Sequence, residues 1–257
     1  MATRAPRPAT TFAAFVLHRY DWSESSLILD LFTREQGRLA VAAKGAKRPY
    51  SQLRGVLLPF QRITVSLGKA AVYDEGASEV QTMRGAEWAG GAAMLTGAAL
   101  FSGFYLNELL MKLLARHDPH AALFDVYAAT LPELTTDETQ AQAALRAFEL
   151  TLLQEIGLLP DLSLVTQTQQ TVRPEARYTL LTDAGVAAAP DGELGGEALI
   201  GLQAALEHGS LPALQHACRT CLVALKLPLR AMIQQQLGAG LLRTRQVMMG
   251  LQSLQSL

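Results

Sequence analysis

The chain has 257 residues, 49% of them hydrophobic, with a formal net charge of -1, a composition that excludes a disordered chain and fits one large or two ordinary globular domains. No apolar run reaches the ~18 residues of a membrane span, and the opening MATRAPRPAT has no apolar segment like that of a secretory signal, so a cytoplasmic protein is expected. The near-neutrality hides a division: residues 1 to 69 hold eleven of the 22 Lys and Arg against four acids, while residues 70 to 257 hold eleven against 19.

Five apolar or alternating runs open the chain: 12–20 (FAAFVLHRY), 25–33 (SSLILDLFT), 37–44 (GRLAVAAK), 59–67 (PFQRITVSL) and 70–78 (AAVYDEGAS). They are separated by DWSE, REQ, a basic connection and Gly68-Lys69, and they predict strands. Five strands in so short a span predict a closed sheet, the five-stranded OB-fold β-barrel being the economical form because closure removes exposed edges. The period of two in RITVSLG sets Ile63, Val65 and Leu67 inward and Arg62, Thr64 and Ser66 outward. By the same rule GRLAVAAK turns Leu39, Val41 and Ala43 in, and Arg38, Ala40, Ala42 and Lys44 out, a face of small residues bracketed by cations.

From about residue 87 the pattern becomes helical. EWAGGAAMLTGAALFSGFYLNELLMKLLAR (87–116) predicts one helix, and HDPHAALFDVYAATLPEL predicts a second, started by Asp118-Pro119. A third opens on a Thr136 or Asp137 cap and closes at Gly157 and Pro160. YTLLT is a candidate strand and Pro190-Asp191-Gly192 a turn. Further helices are expected over 196–208, over 211–236 with a kink at Pro228, and over 243–252. The fold class is therefore α+β: an N-terminal OB-fold barrel over 1–82, then a mainly α-helical domain over 83–257 with a short β/loop insertion near 163–195.

Enzyme signatures are absent. AAKGAKRP lacks the first glycine and the hydroxyl of a phosphate-cradling loop, and no G-x-S-x-G occurs. His117 and His120 read as a solvated helix-end cluster. Cys218 and Cys221, the only cysteines, lack partners for a four-ligand zinc site and read as small buried hydrophobes, so no metal, catalytic residue or cofactor is expected.

What remains is charge. Between Arg34 and Lys69 lie eight cations, Arg34, Arg38, Lys44, Lys47, Arg48, Arg54, Arg62 and Lys69, and one acid, Glu35. Charge of that density attracts phosphates and releases counterions. OB barrels pair such a surface with aromatic stacking platforms; Tyr50 and the pair Tyr20 and Trp22 are accessible candidates, whereas Phe32 and Phe60 read as core. Arg34, Arg38, Lys44, Lys47, Arg48, Arg54 and Arg62 are the candidate nucleic-acid-binding residues. The alternatives are an adaptor whose basic loop meets an acidic protein, and a small metal- or nucleotide-dependent enzyme.

Residues 16–60 also carry a resemblance. VL-x-x-x-x-x-x-E-S-S-L-I-L (16–29), L-F-T-R-E-x-G-R-L (31–39), A-K-G-A-K-R-P (43–49) and S-x-L-R-G-x-L-x-P-F (51–60) together resemble the N-terminal domain of the RecO family of bacterial recombination mediators and DNA repair proteins. LRAFELTLLQEIGLLPDL (145–162) and LRTRQVM (242–248) are similar to segments of its C-terminal part. The resemblance implies an OB fold followed by a helical domain. It also implies a mediator of the RecF pathway that binds single- and double-stranded DNA, anneals strands and, with RecR, loads RecA onto DNA coated with single-strand-binding protein. Many relatives carry a four-cysteine zinc module after the LG-x-x-P-x-L segment; DLSLVTQTQQTVRPEARYTLL has no cysteine here. The helical domain is implied to dock the acidic tail of the single-strand-binding protein, a task for Arg or Lys around an apolar pocket. Arg146 is one candidate, with an i,i+3 pair to Glu149 as its structural alternative. Arg219, Lys226 and Arg230, in the acid-free stretch 211–257, are the others.

Overall fold

The computed structural model describes residues 11–68, 80–91, 94–238, 240, 242–244, 246 and 247. The chain divides into two compact units, Met1–Met94 with Leu114–Phe124, and Leu95–Leu113 with Asp125–Leu257.

The first unit is a closed five-stranded barrel of β1 (Thr11–Asp21), β2 (Leu27–Thr33), β3 (Gly37–Ala43), β4 (Arg62–Leu67) and β5 (Val80–Trp88), in the order β1-β2-β3-β5-β4. β1 pairs with β2 along one edge and β4 along the other, and β3 closes on β5 in parallel register. Alternation sets the interior: Val16, Leu29, Leu31, Leu39, Val41, Ile63 and Val65 are fully buried, so the reading of RITVSLG holds. Two strand limits differ from expectation. The run 59–67 begins its strand at Arg62, because Phe60 takes a left-handed backbone (φ 67°) that no strand continues through. The predicted run 70–78 lies wholly outside the described residues; the fifth strand occupies 80–88, a stretch without clear alternation.

β3 is the larger correction. It is buried on both faces, Ala40, Ala42 and Arg38 included, so its outward side is not a wet surface. Segment 114–124 lies against the barrel: Phe124 packs on Phe15 and Phe32 with ring centroids 5.2 and 5.4 Å apart, and the His117 amide donates to the Arg38 carbonyl at 3.0 Å. Gly37 permits this approach, since a Cβ there would stand 1.9 Å from the Asp118 carbonyl oxygen. Alternation alone cannot see a covering segment some eighty positions away in sequence.

The second unit holds α2 (Gly97–Leu113), α4 (Glu138–Glu155), α5 (Gly196–His208), α6 (Leu211–Thr220), α7 (Leu222–Leu237) and most of α3 (Ala121–Glu133), with a small sheet β7-β6-β8. α1 (Leu53–Val56) is a single turn of the first unit. Asp137 caps α4, its side chain accepting from the Gln140 amide at 3.0 Å, and Gly157 (φ 72°) ends it. β6 (Arg177–Leu181) is the YTLLT strand, β7 (Gly185–Ala188) its hairpin partner, and β8 (Leu194–Gly195) follows a turn closed by the Gly192 amide on the Ala189 carbonyl at 2.9 Å. The expected helix over 211–236 is two helices. The break is at Cys221 (φ −140°, ψ 29°), not Pro228, which sits inside α7. Thr220 Oγ1 bonds the Ala217 carbonyl at 2.8 Å, giving the backbone there an alternative partner.

The C-terminal stretch is held by one carboxylate. Glu108, 6% exposed, accepts from the Arg243 amide (2.8 Å), the Thr244 amide (3.0 Å) and the Thr244 hydroxyl (2.8 Å), and pairs with Lys112 (3.1 Å). Burial opposes its ionisation, yet these donors together hold it below the ordinary carboxylate range. A depressed folded value means stabilisation present above the unfolded pKa and lost as pH falls through the folded one. Glu108→Gln is expected to lower hydrogen-exchange protection of the Arg243 and Thr244 amides roughly tenfold at neutral pH. The native chain should lose the same protection only in acid.

Candidate nucleic-acid interface

Register locates the cations. Asp21 on β1 pairs with Leu27 on β2, which pairs with Ala43 on β3, so the 22–26 hairpin and the connection after Ala43 leave the barrel at one rim. The Lys47 amide donates to the Ser25 carbonyl at 3.0 Å and stitches the two together. Beneath, Ala46 and Leu57 are buried and Leu53 and Val56 pack against the barrel core, so the connection is seated on apolar anchors. Above, successive turns (Arg48 amide to Gly45 carbonyl, Ser51 amide to Arg48 carbonyl, Arg54 amide to Ser51 carbonyl) leave Lys44, Arg48 and Arg54 exposed. Gly45 takes φ 73°, which favours glycine.

Tyr50 is 99% exposed at the tip of this loop, and Tyr20 (46%) and Trp22 (57%) stand at the hairpin beside it. Tyr20 is braced edge-on by His18, with centroids 4.4 Å apart. Lys47 pairs with Asp21 (Nζ to Oδ1, 3.1 Å), and Arg19 donates to the Leu57 carbonyl at 3.3 Å. Arg19, Lys47 and Arg54 line a cleft of about 700 Å³ with Asp21 and Glu24. Phosphate-attracting charge and flat aromatic faces thus share one rim, the requirement for holding an unpaired strand.

The other candidates scatter. Arg34 is exposed but follows Thr33 at the far end of β2, about 20 Å along the strand from Leu27. Arg62 is exposed at the start of β4 opposite Phe15, whose β2 partner Phe32 precedes Thr33, so it too lies toward the far end. Arg38 leaves the exposed set: it is 8% exposed, its Nε and Nη2 donate to the buried Asp30 at 3.2 and 2.9 Å, and its Nη1 donates to the Leu114 carbonyl at 2.7 Å. Its guanidinium is occupied in fastening segment 114–124 to the barrel. Two exposed cations of the barrel strands escaped the sequence reading. Arg19 stands in the strand leading to the hairpin, outside the basic stretch. Arg84 lies two residues beyond Thr82, as Lys44 lies two beyond its partner Ala42, in a strand whose pattern was not legible.

In the helical unit, Arg146 is buried and pairs with Glu149 (Nη1 to Oε2, 2.8 Å), so the i,i+3 alternative is the one that forms. Tyr105 donates to Glu149 at 2.7 Å. Burial raises the Glu149 carboxyl above its ordinary value, with Arg146 and the Tyr105 hydrogen bond pulling the other way. Arg219, Lys226 and Arg230 stand differently. Lys226 is exposed, Arg230 half-buried, and Arg219, exposed, donates to Gln140. Between them on α7, Val223 (84% exposed) and Leu227 (66%) form an apolar i,i+4 pair. Cys218 and Cys221 are both buried, and desolvation raises both thiols, which disfavours the thiolate. Among the described residues no group of three or more His, Cys, Asp or Glu is placed to hold a metal ion, and no helix is long and apolar enough to cross a membrane.

Comparison with known proteins agrees with this layout. Residues 9–89 match the family model "Recombination protein O N terminal", and residues 94–245 match "Recombination protein O C terminal". A protein of Polaromonas naphthalenivorans named DNA repair protein RecO is 51% identical over 247 residues, covering 94% of this chain and 96% of its own length. Proteins of the same name from Verminephrobacter eiseniae and Paracidovorax citrulli are each 49% identical, covering 94% and 97% of this chain and 96% and 100% of their own lengths. With both halves matched in order around the closed barrel and the helical unit, the chain belongs to the RecO family.

Proposed function

We propose that the chain is a non-enzymatic mediator of recombinational DNA repair. It binds single- and double-stranded DNA at the basic, aromatic rim of the barrel, anneals complementary strands and, with RecR, helps load RecA onto DNA coated with single-strand-binding protein. Its site of action is the bacterial cytoplasm, at the nucleoid during repair. The carrying observation is the rim itself, with Lys44, Arg48 and Arg54 exposed beside Tyr20, Trp22 and Tyr50 on a buried base. Phosphates of two strands repel each other; cations presented on a rigid loop reduce that repulsion, and aromatic faces hold bases unstacked and ready to pair. No covalent step is required.

The acidic tail of the single-strand-binding protein is assigned to α7, where Val223 and Leu227 offer an apolar seat flanked by Arg219, Lys226 and Arg230. The buried Arg146 then serves the fold rather than the tail.

Anisotropy of a labelled single strand, titrated at several salt concentrations, tests the DNA reading. Three phosphate contacts, one for each of Lys44, Arg48 and Arg54, predict log K falling against log salt with a slope of about −2. Tight binding with a flat slope, or no binding, would favour an adaptor that meets an acidic protein instead.

A further inference from the structure

The barrel rim is not uniformly basic. The 22–26 hairpin that carries Trp22 also brings Asp21 and Glu24 to the cleft of Arg19, Lys47 and Arg54, and Asp21 is paired with Lys47 at 3.1 Å. Asp21 is 82% exposed, and ion pairs so open to water add little to stability, so the fold does not explain the pair. The hairpin is closed by its own backbone, the Trp22 amide donating to the Ser26 carbonyl at 3.3 Å and the Lys47 amide to Ser25. Its carboxylates bear on whatever approaches the cleft.

Resting on the reading of this rim as a DNA site, we propose that the hairpin selects single strands over duplex, with Asp21 and Glu24 as the selecting residues. The two walls of the site differ chemically. One, the 44–54 loop, is cationic. The other, the end of β1 and the hairpin, carries Asp21, Trp22 and Glu24, with Arg19 below them donating to the Leu57 carbonyl. A single strand can turn its phosphates to the loop and its bases to Trp22, and the carboxylates then face base edges, whose exocyclic amino groups they can accept from. A duplex keeps its bases inside and shows phosphates on every side, one charge per ~1.7 Å of axis. It must bring phosphates against Asp21 and Glu24, and it must compete with Asp21 for Lys47.

The test compares a labelled single strand and a blunt duplex of equal length and low salt, using the full chain, Asp21→Asn with Glu24→Gln, each single variant, and a Lys44→Glu, Arg48→Glu, Arg54→Glu variant. Removing two like charges within a Debye length of the phosphates should raise duplex affinity about five- to tenfold and single-strand affinity less than about twofold. Equal gains for both forms, or no gain for duplex, would overturn the selectivity while the triple reversal still abolished binding. Unchanged binding by the triple reversal would instead remove the DNA site at this rim, and the selectivity with it.

Discussion

Reversing Lys44, Arg48 and Arg54 to Glu is expected to weaken single-strand binding at least about 100-fold at moderate salt and to abolish annealing. Three lost phosphate contacts should also flatten the salt slope by about 2, at roughly 0.7 per contact on a single strand. The fold should tolerate the change. All three side chains are exposed, and the loop is held by Ala46, Leu57 and backbone turns rather than by their charges. Substitutions of that kind stay within about 0.5 kcal/mol each. A folded triple variant that binds and anneals normally would dismiss the rim. Arg34→Glu serves as the internal comparison, because register sets it at the opposite end of β2, and it should cost far less.

Arg146→Ala is expected to cost about 3–5 kcal/mol, the usual penalty for breaking a buried ion pair from one side. Arg146 and Glu149 retain 9% and 1% side-chain exposure, so little water can replace the lost partner. Thermal unfolding should report a drop of about 10 °C for a unit of this size. The deficit should depend on pH. Burial already raises the Glu149 carboxyl, and removing the Arg146 charge raises it further. A raised folded value keeps stability in acid and loses it as pH rises through that value, so the variant should be nearest to wild type in acid and worst at neutral pH and above. Replacing both residues with apolar side chains, Arg146→Met with Glu149→Leu, should recover most of the loss; Tyr105, whose hydroxyl donates to Glu149, bears what remains. An Arg146→Ala protein of unaltered stability that no longer binds an acidic peptide ending in a carboxylate would restore Arg146 as a docking residue. On the assignment to α7, that defect belongs to Lys226→Glu and Arg230→Glu.

Much of this architecture was legible before the structure. The hydrophobic alternation of β4, the Asp137 cap, the Gly157 stop and the turn at 190–192 each depend on interactions within a few residues, which a sequence displays directly. The failures share a cause as well. β5 has no alternation to read because its strand is only partly covered, with burial changing irregularly along VQTMRGAEW. The break at Cys221 was missed because Pro228 was the louder signal. In the structure Pro228 sits within α7, while the side chains of Thr220 and Cys221 bond back to the Ala217 carbonyl.

Sequence by itself determined that a basic first third precedes an acidic, helical remainder, that the first third closes into a small barrel, and which family motifs run through it. Charge density and periodicity are local quantities, and local quantities survive being read one residue at a time. Only the tertiary structure decided which cations lie together. It withdrew Arg38 into a bond with Asp30, set Arg34 a strand's length away, spent Arg146 on Glu149, and brought Arg19, Asp21 and Trp22 to the rim that carries Lys44, Lys47, Arg48 and Arg54. The physical reason is that burial and pairing are set by segments distant in sequence, here 114–124 over β3 and the 22–26 hairpin beside the 44–58 connection.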